Sequence, residues 1–102
     1  MPRLLDTEEL TRQLADLPGV DAGPSGSLVL ALEAPGFLDA VRLIDLVAAD
    51  AERMDHHPDI DLRWRRVVFT LSTHSAGGVT QLDIELAHRI SAAAREQGAT
   101  LA

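Results

Sequence analysis

Apolar and polar residues along this chain change period several times, and each change marks an element. Leu10, Leu14 and Leu17 recur at helical spacing after Thr7-Glu8-Glu9, an N-cap followed by acids suited to the positive end of a helix dipole. Pro18-Gly19 stops the run, so the spacing predicts a first helix over 7–17. Residues 21–27 (Asp-Ala-Gly-Pro-Ser-Gly-Ser) are turn chemistry between two strands, a short one at 20–22 and a longer one at 27–34. In the longer strand Leu28, Leu30 and Leu32 share one face, and Val29, Ala31 and Glu33 share the other. The pair reads as a hairpin.

After Pro35-Gly36 a helical pattern runs to about Met54, with Phe37, Val41, Ile44, Ala48 and Ala51 as the expected buried stripe. Pro58 disfavours helix at the residue before it, which leaves His56 and His57 in the turn at the helix exit. A short extended piece at 59–62 precedes the clearest strand, 63–73. There Val67, Phe69 and Leu71 alternate with Val68, Thr70 and Ser72. Thr80-Gln81-Leu82-Asp83 resembles a capping box, with Asp in place of the usual Glu or Gln. Leu82, Leu86, Ile90 and Ala93 then form the stripe of a last helix that Gly98 ends.

The order α-β-β-α-β-β-α predicts an α+β fold: a four-stranded antiparallel sheet with three helices packed on one face, in one domain spanning 1–102. The opposite sheet face carries Val29, Ala31, Val68 and Thr70, too apolar for open water. A partner subunit is expected to cover it.

Composition narrows the function classes. Apolar residues make up 46% of the chain, enough for one core, but aromatics only 3%, so Leu, Val, Ile and Ala must fill it. The chain has no cysteine, which removes disulfides and thiolate chemistry and fits a reducing compartment. Acids within the first ten residues argue against a signal peptide, and no apolar run approaches the roughly 20 residues of a membrane helix. A cytoplasmic protein without a membrane role is expected. A net charge of −7 opposes a nucleic-acid backbone. The one basic concentration, Arg63, Arg65 and Arg66, reads as solvent-facing strand residues beside carboxylates.

Three of the four histidines fall at element junctions: His56 and His57 after the second helix, His74 after the long strand. Imidazole donates and accepts protons near neutral pH, so such a trio suits acid–base work on a small ligand. Ordinary surface or capping histidines give the same pattern, and so does a metal site completed by Asp55, Asp59 or Asp83. Asp83 has two compatible readings, a helix cap or a carboxylate that orients an imidazole. Glu52, four residues before His56, is either a helix charge or a holder for an imidazole or polar ligand. Trp64 reads as packing or as a stacking platform. His88 belongs to a solvated helix face, and Gly77-Gly78 to a turn needing positive φ.

Taken together, Glu52-Arg53-Met54-Asp55-His56-His57-Pro58-Asp59 with Trp64, Leu71-Ser72-Thr73-His74, Gly77-Gly78-Val79-Thr80 and Asp83-Ile84-Glu85-Leu86-Ala87 resemble the signature of pterin-4a-carbinolamine dehydratases. The match is close over 47–90 and holds in outline before that. The resemblance implies the same α+β fold and a homodimer or homotetramer. It also implies dehydration of a 4a-hydroxytetrahydropterin to the quinonoid dihydropterin, recycling the cofactor of aromatic amino-acid hydroxylases, with no metal or organic cofactor. By position it makes His56 and His74 the acid–base candidates, His57 a binding group and Asp83 their carboxylate partner. Glu52, Pro58, Trp64 and Thr73 become substrate-binding candidates. Some relatives serve instead as dimerisation or assembly factors, so a non-catalytic module on the same fold is the alternative. The chain departs from the pattern at Val20, where Trp is usual, at Leu43, where Phe is common, at Ile60, often aromatic, and at Trp64, where Tyr is more usual. These losses bear on substrate affinity.

Overall fold

The computed structural model describes residues 2–102. Its elements are α1 (Thr7–Leu14), β1 (Val20–Gly23), β2 (Ser27–Glu33), α2 (Phe37–Met54), β3 (Asp59–Arg63), β4 (Arg66–Leu71), a 3-10 turn (His74–Ala76), α3 (Gln81–Glu96) and β5 (Thr100–Leu101). The strands pair antiparallel in the order β1-β2-β4-β3, and β5 adds to β2 through Leu32↔Leu101 and Glu33↔Thr100. The three helices and four main strands follow the expected order. The two-residue β5 carries no pattern long enough to read.

One face of the sheet forms the floor of the core. Leu28, Leu30 and Leu32 of β2 and Val67, Phe69 and Leu71 of β4 are all buried there, beside Ala40, Leu43 and Val47 of α2 and Ile84, Leu86, Ala87 and Ile90 of α3. Leu10 and Leu14 of α1 pack at its edge. The alternate residues Val29, Ala31, Val68 and Thr70 lie on the opposite face and are half-buried within the chain itself. Burying a Leu, Val or Phe side chain yields about 1.5–3 kcal/mol, so this layer dominates the stability of the fold. Among the described residues no helix is long and apolar enough to cross a membrane.

Four local expectations change. The N-cap of α1 is Asp6, not Thr7: its Oδ1 accepts the Glu9 N–H at 2.8 Å, and Glu9 Oε1 accepts the Asp6 N–H at 3.2 Å. The helix ends at Leu14, although Leu17 beyond it is still buried. The buried stripe of α2 is Ala40, Leu43, Val47 and Ala51; Ala51 is as expected, the other three lie one position before the expected Val41, Ile44 and Ala48, and Phe37 is 51% exposed. Apolar residues surround most of this helix, so the period alone does not choose the face; the sheet does. Finally, 63–73 is not one strand. Trp64-Arg65 forms the tip of a β3–β4 hairpin closed by the Arg63↔Arg66 pair, with Trp64 at φ +53°. A bulky residue in the left-handed region marks a turn that the alternation of side chains does not reveal.

Candidate active site

The end of α2 sets the position of the two adjacent histidines. Asp55 adopts the left-handed conformation (φ 49°, ψ 44°), its N–H reaches Glu52 O at 3.2 Å, and the His56 N–H reaches Ala51 O at 3.0 Å. This is the Schellman arrangement, with Asp in the place glycine most often takes. It turns the chain sharply, and Pro58 leads directly into β3. His56 is thereby folded inward, 8% exposed, whereas His57 faces outward.

At the other side, β4 runs out through Ser72 to Thr73, which pairs with Gly78 to pin a short loop beginning at His74. Gly77 in that loop has φ +77°, as its turn requires. Strand alternation places Leu71 and Thr73 toward the helices and Ser72 and His74 toward the free face of the sheet. Thr73 is accordingly 3% exposed and His74 is exposed. Thr80 and Asp83 arrive from the start of α3 as the expected capping box, with Asp83 reaching back to the Thr80 N–H at 2.9 Å.

These elements assemble one buried polar network. His56 Nε2 lies 2.6 Å from Asp83 Oδ1. Asp83 Oδ2 accepts the Thr73 hydroxyl at 2.7 Å as well as the Thr80 N–H, and the two threonine hydroxyls lie 2.7 Å apart. Asp83 is 0% exposed, so its charge depends wholly on these donors. A second, solvated pair stands beside it: His57 Nε2 to Glu52 Oε2 at 2.5 Å. His74 makes no side-chain hydrogen bond to a described residue. It lines a cleft of about 380 Å³ on the helix-free face with Pro24, Ser25, Asp59, Thr70 and Ser72.

The site residues expected from the sequence therefore divide. Asp83 bonds both His56 and Thr73, one through each carboxylate oxygen, and Thr73 is bonded covalently to His74. Glu52 holds His57, and Pro58 follows at the start of β3. Thr73 keeps its hydroxyl on Asp83 rather than offering it to a cleft. Trp64 lies elsewhere: it is 73% exposed at the hairpin tip, beyond the far end of β3, and about 17 Å of strand separates it from the histidines. Its ring meets Arg65, whose guanidinium carbon is 5.1 Å from the centroid. Thr80, read from the sequence only as a cap, belongs to the polar network. Asp59, weighed from the sequence only as a metal ligand, lines the cleft at His74 with Thr70 and Ser72, whose outward register was the one hint of it. Larger clefts, of about 530 Å³ between α2 and α3 and about 430 Å³ beneath β5, include none of His56, His57 and His74. Among the described residues no group of three or more His, Asp or Glu side chains is arranged to hold a metal ion.

Comparison with known proteins bears on this arrangement. A family model described as pterin 4 alpha carbinolamine dehydratase matches residues 3–93. A protein of Nocardia farcinica, named provisionally as a pterin-4-alpha-carbinolamine dehydratase, is 52% identical over 93 residues, covering 90% of this chain and 96% of that one. A protein of Mycobacterium avium with the same provisional name is 44% identical over 88 residues, 86% of this chain and 93% of that one. The crystal structure of a transcriptional coactivator/pterin dehydratase from Brucella melitensis superposes with a TM-score of 0.86 at 33% identity, covering 88% of this chain and 97% of that one.

Proposed function

The chain belongs to the pterin-4a-carbinolamine dehydratase family, and on that premise we propose that it dehydrates a 4a-hydroxytetrahydropterin to the quinonoid dihydropterin by histidine acid–base catalysis. The observation that carries the reading is the buried His56–Asp83 pair at 2.6 Å, with His57 next to His56 in the chain and His74 next to Thr73, which donates to the same carboxylate. In the reaction the C4a–O bond breaks and the hydroxyl leaves as water after gaining a proton. N5 loses its proton, and the N5=C4a double bond forms. One acid and one base suffice. His56 and His74 move the protons, His57 grips the substrate with Glu52 behind it, and Asp83 orients His56.

The apolar helix-free face, with Val29, Ala31, Val68 and Thr70, supports a homodimer or homotetramer as the working form. The absence of cysteine from the sequence suits a cytoplasmic setting. Recycling the cofactor of an aromatic amino-acid hydroxylase is the role that fits this chemistry.

The test is stopped-flow absorbance of quinonoid product from carbinolamine generated by a hydroxylase or by synthesis. His56→Ala and His74→Ala are each expected to slow turnover by about 10²–10⁴-fold while the protein stays folded. A wild-type rate equal to the spontaneous one overturns the reading. The word coactivator in the name of the Brucella melitensis structure favours a second reading, a non-catalytic binding module. A double His56→Ala/His74→Ala variant that lacks turnover yet complements a deletion strain fully would establish it.

A further inference from the structure

Hydrogen bonding around Asp83 has a direction that the atoms themselves dictate. Thr73 owns one hydroxyl proton and gives it to Asp83 Oδ2 at 2.7 Å. The 2.7 Å contact between the two threonine hydroxyls must then run from Thr80 to Thr73. The Thr80 oxygen in turn accepts the Leu82 N–H at 3.3 Å, which leaves its own proton free to donate. Oδ2 receives a second donor from the Thr80 backbone. Only Oδ1 remains for His56, and a carboxylate oxygen can only accept.

We propose that this Thr80-to-Thr73-to-Asp83 chain sets the tautomer of His56, placing its proton on Nε2 and leaving Nδ1 as the nitrogen that works on a ligand. Thr73 and Thr80 are then positioning residues for His56. Nδ1 bonds to no described residue, yet among the described residues no buried side-chain nitrogen or oxygen lacks a partner, so Nδ1 reaches solvent. The geometry of the chain stands on distances alone; the working role of Nδ1 rests on the dehydratase reading above.

Asp83→Asn is the decisive variant. Two donors converge on the Oδ2 position, so the new amide must put its carbonyl there and turn its NH₂ toward His56. Nε2 must then accept, and the imidazole proton moves to Nδ1. Long-range ¹H–¹⁵N NMR of the substrate-free protein reads this directly. The neutral wild-type ring is expected to show a pyrrole-type Nε2 and a pyridine-type Nδ1, and the two types exchange in Asp83→Asn. In a comparable buried dyad the wrong tautomer costs on the order of 10⁴ in kcat, and a loss of that size is expected here.

Thr73→Val and Thr80→Val are each expected to lower kcat about tenfold with KM unchanged, and Thr73→Ser and Thr80→Ser to restore it. A folded Asp83→Asn protein whose ¹⁵N types stay as in wild type overturns the proposal. A Thr73→Val variant that raises KM alone also overturns it, because Thr73 would then be touching substrate. If Asp83→Asn does not fold, the Val and Ser pairs decide. A wild-type protein with the expected nitrogens but no turnover refutes the dehydratase reading and leaves the tautomer assignment standing.

Discussion

Two consecutive histidines in this protein should differ sharply in what their removal costs. His56 is 8% exposed, and its Nε2 supplies one of the three donors to a carboxylate that is itself 0% exposed. His56→Ala strips that donor and leaves Asp83 with Thr73 and the Thr80 N–H alone. A hydrogen bond to a charged group contributes about 1.5–3 kcal/mol, and an unmet buried charge sits in the upper part of that range unless water enters. The expected loss is about 2 kcal/mol, which lowers Tm by roughly 10 °C in a chain of this size. His57 pairs with Glu52 at the surface, where side-chain exposures are 56% and 78%. Exposed pairs contribute about 0–1 kcal/mol, so His57→Ala should move stability by no more than about 0.5 kcal/mol. Urea unfolding with a common m-value, backed by calorimetry, measures both. A cycle with Asp83→Ala should show His56 and Asp83 coupled by about 2 kcal/mol, the double variant losing less than the sum of the singles. Equal costs for the two histidines, or additivity in the cycle, would refute the reasoning from burial.

Glu9 is held down to about 2 first by its hydrogen bonds from Arg3 and then by that from the Asp6 N–H. Its folded-state value is depressed, so the stability it lends is present above the ordinary carboxylate range and fades as pH falls toward 2; Tm of Glu9→Gln should lie below wild type at pH 7 and converge with it at pH 2. Trp64 sits at φ +53° with most of its ring in water, so Trp64→Gly should be more stable than Trp64→Ala by about 1 kcal/mol in chemical denaturation, since only glycine relieves the backbone. Gly19 has φ +85°, and a Cβ there would lie 2.3 Å from Leu101 Cδ2; Gly19→Ala should cost about 1–2 kcal/mol and raise hydrogen exchange at the β5 amides before those of β4.

The layers of this fold are readable because the larger apolar residues of β2 and β4 fall on alternate positions. Leu28-Leu30-Leu32 and Val67-Phe69-Leu71 mark the face to bury, and a shift of one residue would move every one of them to the helix-free side. The helices were less legible for the opposite reason. α2 is apolar on more than one side, so Ala40, Leu43 and Val47 face the core only because β2 and β4 lie there. The turn at Trp64-Arg65 is hidden because Arg63 to Ser72 reads as an unbroken run, and no Gly, Asn or Asp announces it. At the site, His56, His57, His74 and Asp83 stand out by residue type, and Glu52 by its spacing to the histidines. The role of Thr80 did not, since a capping threonine looks the same whether or not its hydroxyl continues into a network. What distinguishes it is the register of Thr73, inward by one strand step from His74, which only the three-dimensional path of β4 fixes.

That register also divides the site by the kind of constraint on each residue. Asp83 is at once the fourth residue of a capping box and the partner of His56, so the start of α3 and the orientation of the imidazole share one carboxylate. A short acid suits both tasks: Oδ2 turns back to the Thr80 N–H while Oδ1 remains directed at Nε2. A buried group with every donor assigned has no freedom to adapt to a ligand, and replacing any member leaves another unsatisfied. His57, Glu52 and His74 are the reverse. They are exposed and, His57–Glu52 apart, uncommitted, so changing them costs the fold little. The same logic covers the missing aromatics. Val20 and Leu43 keep the core filled where larger rings are usual, whereas Ile60, 40% exposed, changes the surface. Differences in substrate preference between this chain and its relatives should therefore trace to the exposed set, and differences in stability to the buried one.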